Sequence, residues 1–158
     1  MTKDVKLEDG TRERTYFLLD VFRKRLNYPD LKRAVVEQRR LYRTSKILIE
    51  ERASGIQLIQ DLARSGIRNV VPCQYPGDKV MRMHAQTAVI EQGRVCLPKA
   101  AAWLEDYRRE LSAFPRGKFD DQVDATSQAL AWMQEHPIVH WSGMAVGIGG
   151  SCPRWGYY

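Results

Sequence analysis

Five carboxylates gather at two points of the sequence. Glu50 and Glu51 end the run Lys46-Ile47-Leu48-Ile49, while Asp120, Asp121 and Asp124 open a helical stretch. The carboxyl end of a strand and the first turn of a helix are where α/β folds hold functional groups. Acidic residues in a first helical turn also complement the helix dipole, and Asp120 or Asp121 can serve simply as an N-cap. One cap needs one side chain, however. Asp120 and Asp124 stand four apart on one helical face, where like charges cost a few tenths of a kcal/mol unless a cation lies between them. The spacing therefore fits half of a metal site, with Glu50 as the other side. Mg2+ and Mn2+ favour carboxylate oxygens, and phosphodiester cleavage by two metals about 3.5 to 4 Å apart draws carboxylates from separate elements.

Cations flank both groups. Lys79 and Arg82 begin one helix, and Arg116 and Lys118 form the turn just before the aspartates, so all four are candidates for DNA phosphates; solvated surface charge is the plain alternative. Arg23-Lys24-Arg25 is expected to be a solvated loop. His84 is expected to be half-buried and hydrogen-bonded on its helix, and His136 and His140 have no cysteine at zinc spacing.

The elements that must position these groups alternate. Residues 3 to 22 read as a hairpin whose second strand, Tyr16 to Phe22, is buried on both faces. Asn27 and Pro29 open a helix with Leu31, Ala34, Val35 and Tyr42 inward. A strand over residues 46–50 precedes a helix to about Arg64, started by capping-box spacing at Ser54 and Gln57, with Ile56, Ile59, Leu62 and Ala63 inward. Residues 69–73 form a strand, 78–92 a helix, 94–97 a short strand, and 101–114 and 121–133 two further helices. Such alternation argues for an α/β sheet with helices on its faces.

Composition agrees with a folded chain. The 158 residues are 44% hydrophobic and 28% charged, enough for a core in one compact domain. Lys and Arg outnumber Asp and Glu by 25 to 19, and a net charge of +6 suits a polyanionic partner without proving one. Cys73, Cys96 and Cys152 are too scattered for a disulfide framework and fit a reducing cytoplasm. Neither a secretion signal nor an apolar run of membrane-spanning length is present, so no membrane partner is expected. From Pro137 the pattern breaks into a Gly- and aromatic-rich tail, expected to lie outside the domain of residues 1–136.

Three stretches carry a family resemblance: Ile47-Leu48-Ile49-Glu50-Glu51-Arg52-Ala53-Ser54-Gly55, Pro76-Gly77-Asp78-Lys79, and Phe114-Pro115-Arg116-Gly117-Lys118-Phe119-Asp120-Asp121-Gln122-Val123-Asp124-Ala125. Together they resemble the C-terminal nuclease domain of tailed-phage terminase large subunits. The resemblance implies an α/β fold of ribonuclease-H-like type, a mixed sheet flanked by helices, whose acidic residues bind Mg2+ or Mn2+ and cut double-stranded viral DNA during genome packaging. Carried over by position, Glu50 is the strand carboxylate, Asp120 and Asp124 are the helix carboxylates, and Asp121 is a further participant in catalysis and metal binding. It also implies a phage or prophage protein of the host cytoplasm, with double-stranded DNA, the terminase ATPase domain, the small terminase subunit or the portal as partners.

Family members carry a first strand with one more catalytic aspartate, and the chain is expected to lack it. Asp4 and Asp9 flank the hairpin turn and Asp20 reads as a structural strand residue, so activity is expected to be impaired. No Gly-x-x-x-x-Gly-Lys-Ser/Thr loop occurs, which excludes a nucleotide-driven motor within these residues. Two other readings compete with the nuclease: an inactive prophage remnant that binds DNA or a packaging partner, and another ribonuclease-H-like nuclease such as a junction resolvase.

Overall fold

The structure is a computed structural model and describes residues 1–6, 12–74 and 77–136. Along the chain run β1 (Thr2–Lys6), β2 (Arg12–Phe17), α1 (Tyr28–Tyr42), β3 (Ile47–Glu50), α2 (Ser54–Arg64), β4 (Val70–Cys73), α3 (Lys79–Glu91), β5 (Val95–Cys96), α4 (Leu104–Ala113) and α5 (Asp121–Glu135). The described residues form two compact units, one of residues 1–21 with residues 77–136, the other of residues 22–76.

The first unit holds a mixed sheet in the order β1-β2-β5. β1 and β2 are antiparallel with Asp4 opposite Arg14, and β5 lies parallel to β2 with Tyr16 opposite Val95. Tyr16, Val89, Ile90, Val95 and Leu130 bring β2, α3, β5 and α5 into one cluster. Leu97, Leu104 and Tyr107 make a second, covered by Leu18, Val21, Trp103 and Leu111. The four-residue spacing of Trp103, Tyr107 and Leu111 produces this α4 face.

The second unit pairs β3 and β4 in parallel, Ile47 opposite Val70 and Glu50 opposite Cys73. Leu58, Leu62 and Ile67 fill its centre beneath Leu31, Val35, Ile47 and Ile49. Asn27 caps α1 by accepting the Asp30 N–H at 3.0 Å, with Pro29 in the first turn, as its sequence requires.

Several expectations are corrected. β2 ends at Phe17, and Leu19 and Phe22 are exposed; the Leu18 N–H still bonds the Cys96 carbonyl at 3.0 Å, but the apolar run after it leaves the ladder, so Asp20 is not a strand residue. Ser54 does not cap α2. The cap position is Ala53, and its side chain makes no capping bond. The buried stripe of α2 is Leu58 and Leu62 rather than one reaching Ile56 and Ala63, both exposed. Tyr42 is exposed at the end of α1. The hairpin turn with Asp9, and the segment from Pro137 with His140 and Cys152, lie outside the described residues. No helix among the described residues is long and apolar enough to cross a membrane.

Candidate functional site

Asp120 and Asp124 converge in the first unit, and their partners are the first-turn cations of α3. The Lys79 Nζ lies 3.0 Å from Asp120 Oδ2 and 2.8 Å from Asp124 Oδ2. Arg82 Nη2 donates to Asp124 Oδ1 at 2.8 Å, and its Nη1 donates to the Gly77 carbonyl at 2.9 Å. Gly77 has φ +93°, a backbone state natural to glycine, and turns the chain into α3. Two cations thus meet two anions. The Arg82 and Asp124 side chains are only 15% and 19% exposed, whereas Lys79 and Asp120 are near 40%, so the Arg82 pair is the less screened of the set. The Asp124 carboxylate, and then that of Asp120, holds the Lys79 ammonium pKa above its ordinary value.

Asp120 occupies the N-cap position of α5, yet its side chain makes no capping bond. A residue of α4 does that work. Glu110, 7% exposed, accepts the Gln122 backbone N–H and the Gln122 Nε2–H, each at 2.6 Å. A buried carboxylate from another helix therefore satisfies a first-turn donor of α5 and leaves the Asp120 carboxylate on Lys79. Sequence reasoning missed Glu110. Its one signal was position: three residues after Tyr107 and beside Leu111, it is a charge on the buried face of α4.

In the second unit Glu50 ends β3 and lies 3.5 Å from Arg52 Nε, both substantially exposed. Glu51 accepts from Gln74 Nε2 at 2.7 Å. The turn after them is tight: the Glu51 N–H bonds the Cys73 carbonyl and the Gly55 N–H bonds the Arg52 carbonyl. A Cβ on Gly55 would stand 2.1 Å from the Glu50 carbonyl oxygen. Ala53 adopts φ +41°, ψ −117°, outside the regions open to ordinary residues, so the loop that presents Glu50 carries backbone strain.

Asp121 is exposed at the first position of α5. Arg116 and Lys118 are exposed in the turn before it, with Lys118 Nζ 5.4 Å above the Phe119 ring. Lys79 and Arg82 are held on carboxylates rather than presented outward as a pair. His84 is exposed rather than half-buried. His136 stacks on Trp132 at 4.6 Å, its Nδ1 3.0 Å from the Trp132 carbonyl oxygen, as a helix-end residue. Asp4 faces Arg14 across the hairpin at 3.7 Å.

Residues 5–132 match the family described as the terminase RNaseH-like domain. The chain belongs to that family. The match spans both units, and the mixed α/β elements are those of a ribonuclease-H-like domain. No curated protein and no solved structure matches the chain significantly. Membership places the domain in the nuclease part of phage DNA packaging, alongside DNA and other terminase components.

Whether the carboxylates suit a divalent ion is decided by their geometry. One ammonium lies within 3.0 Å of both Asp120 and Asp124, so the two side chains share a single cation position. Mg2+ commonly uses one or two carboxylates and keeps several waters, and the pair fits one such ion with Lys79 displaced. Among the described residues, no group of three or more His, Cys, Asp or Glu is placed to hold a metal ion, so a two-metal centre is not assembled from them.

Proposed function

We propose that this domain is a divalent-metal-dependent endonuclease of the terminase type, cutting double-stranded viral DNA during packaging. What supports this reading above all is the shared cation position between Asp120 and Asp124, formed on the helix start whose cap is delegated to Glu110. Asp120 and Asp124 would hold the ion, with Asp121 next to Asp120 in the chain; the family resemblance makes Glu50 the strand carboxylate. Bound there, Mg2+ or Mn2+ supplies charge neutralisation at a phosphoryl group and lowers the pKa of a water. The protein's own part is orientation. Asp120 and Asp124 are fixed by the first turn of α5, Arg82 stays paired with Asp124 while the ion takes the place of Lys79, and Glu110 keeps the helix start in place. The terminase ATPase domain, the small subunit and the portal are the partners this role implies.

A second reading follows from the same ion pairs. Because Lys79 and Arg82 already neutralise the two aspartates, a domain that binds DNA or a packaging partner without cutting it is the alternative. Supercoiled plasmid incubated with protein and millimolar Mn2+ separates the two. Nicking that disappears in Asp120→Asn, Asp124→Asn and Glu50→Gln, with circular dichroism unchanged, is the expected result. Intact plasmid that is nevertheless retarded in a gel would establish the binding role instead. Preference for four-way junctions over linear duplex would point to a resolvase.

A further inference from the structure

The net charge of the chain resides in one unit. Residues 22–76 hold twelve Lys and Arg against five Asp and Glu, a net of +7, whereas the rest of the chain holds thirteen against fourteen, a net of −1. Within the +7 unit the acids are largely taken: Asp30 pairs with Arg33, Asp61 with Arg64 and Glu50 with Arg52. Arg40, Arg43, Lys46 and Arg68 are exposed and form no ion pair among the described residues.

Asn69 draws these four to one end of the unit. Its side-chain oxygen accepts from Arg39 Nε at 3.1 Å, its side-chain nitrogen donates to the Thr44 carbonyl at 2.9 Å, and its backbone carbonyl accepts the Ile47 N–H at 2.9 Å. Arg40 adjoins Arg39, Arg43 adjoins Thr44, Lys46 adjoins Ile47 and Arg68 adjoins Asn69. The end of α1, the turn into β3 and the loop into β4 therefore meet with a cation on each. Complementing the α1 dipole explains a cation in the last helical turn, but not Lys46 or Arg68, which lie outside that helix.

Arg43 adds a second observation. It closes α1 in the left-handed region at φ 46°, ψ 46°, where glycine or asparagine fits with less strain. A strained position filled by a long cation points to a use for that side chain at the surface.

We propose that Arg40, Arg43, Lys46 and Arg68 form a sequence-independent binding face for the phosphate backbone of duplex DNA. This rests on the DNA-directed reading above and specifies the surface on which the duplex is held. Four such cations face a duplex that carries one phosphate per strand about every 3.4 Å of helix axis. β3 starts at this face and ends at Glu50, three rises of about 3.3 Å along the strand, so the face and the strand carboxylate are set at opposite ends of one short strand.

The test uses the full chain, a fluorescent duplex of about 30 base pairs and EDTA, which removes cutting from the measurement. Anisotropy titrations over a salt series are compared for the wild type and Arg40→Gln/Arg43→Gln/Lys46→Gln/Arg68→Gln. The four changes should weaken binding about ten-fold or more near 0.1 M salt, and should flatten the log–log salt slope by roughly 3 to 4, about 0.9 for each phosphate no longer neutralised. Circular dichroism and melting should be unchanged, and Arg116→Gln/Lys118→Gln should move the slope by less. An unaltered slope in the fourfold variant, or a wild type that does not bind duplex, overturns the assignment. Loss of nicking in the aspartate variants is read separately, so the nuclease reading stands or falls on its own result.

Discussion

Replacing Glu110 tests how α5 is held. In Glu110→Ala the Gln122 backbone N–H and Nε2–H both lose their 2.6 Å acceptor. Hydrogen bonds to a charged group contribute roughly 1.5–3 kcal/mol each. The alanine also escapes the desolvation that the buried carboxylate suffers, which offsets part of that sum. A net loss of about 2–4 kcal/mol follows, and at roughly 2–4 °C per kcal/mol for a chain of this size the melting temperature should fall by about 5–15 °C. Glu105→Ala, an exposed change on the same helix, should cost less than about 0.5 kcal/mol. The exchange Glu110→Gln/Gln122→Glu keeps one acceptor for the N–H and one donor–acceptor pair between the side chains, and should recover most of the loss. Urea denaturation of all four proteins reads these values. If Glu110→Ala lies within about 0.5 kcal/mol of the wild type, Glu110 does not anchor the helix and the argument fails. Asp120 is the next carboxylate able to cap α5, so Asp120→Ala should cost more in the Glu110→Ala background than alone, a coupling that a double-mutant cycle detects.

Three further outcomes follow from other parts of the molecule. Gly55→Ala, which would set a Cβ 2.1 Å from the Glu50 carbonyl oxygen, should cost about 3 kcal/mol or more in chemical denaturation, because backbone must move to admit it. Leu62→Ala should cost about 2–5 kcal/mol, since the side chain is fully buried, whereas Ile56→Ala, 44% exposed, should cost far less; equal effects would contradict the observed face of α2. The Tyr28 hydroxyl donates to Asp61 at 2.7 Å, and loss of solvent together with the Asp61 hydrogen bond pushes the Tyr28 pKa up to about 12. Between about pH 10 and 12 the unfolded chain then ionises this tyrosine while the folded chain does not, so stability falls as pH rises through that window, and Tyr28→Phe should remove this component of the fall. The same hydrogen bond lowers the Asp61 pKa, so its contribution is present above about pH 4 and is lost as pH falls through the depressed value, seen as a smaller acid sensitivity in Tyr28→Phe.

Element order was readable because strong local signals coincide with the fold. Asn27 and Pro29 mark the start of α1, and the positive-φ residues Gly66 and Gly93 follow α2 and α3. The convergence of Asp120 and Asp124 was readable for the same reason, since a four-residue spacing places side chains on one helical face. The failures have a common cause in tertiary context. Apolar residues after Phe17 looked like strand, but after a last bond from the Leu18 N–H to the Cys96 carbonyl the segment leaves β5, and Leu18 and Val21 pack on Leu97, Leu104 and Tyr107. Ser54 had capping-box spacing, yet the turn compressed between Glu50 and Gly55 makes Ala53 the cap position. Hydrogen bonds between distant segments leave no local trace, so neither Glu110 on Gln122 nor Lys79 on Asp124 was visible in the spacing.

That last pairing changes where a polyanion is attracted. Lys79 and Arg82 looked like phosphate ligands because they begin a helix near a charged turn, but each sits within 3.0 Å of a carboxylate. A cation paired with an anion presents a dipole, whose field falls faster with distance than that of a lone charge, and salt screens what remains beyond about 10 Å. The quartet of Lys79, Arg82, Asp120 and Asp124 is neutral, and the unit that holds it carries a net of −1. On the proposed reading, long-range attraction of DNA therefore comes from residues 22–76, whose surplus of seven charges exceeds the net charge of the whole chain. Holding the duplex and cutting it are on this account assigned to different side chains. Neutralising Arg40, Arg43, Lys46 and Arg68 should act on affinity and salt dependence, whereas Asp120→Asn and Asp124→Asn should abolish nicking without weakening the attraction.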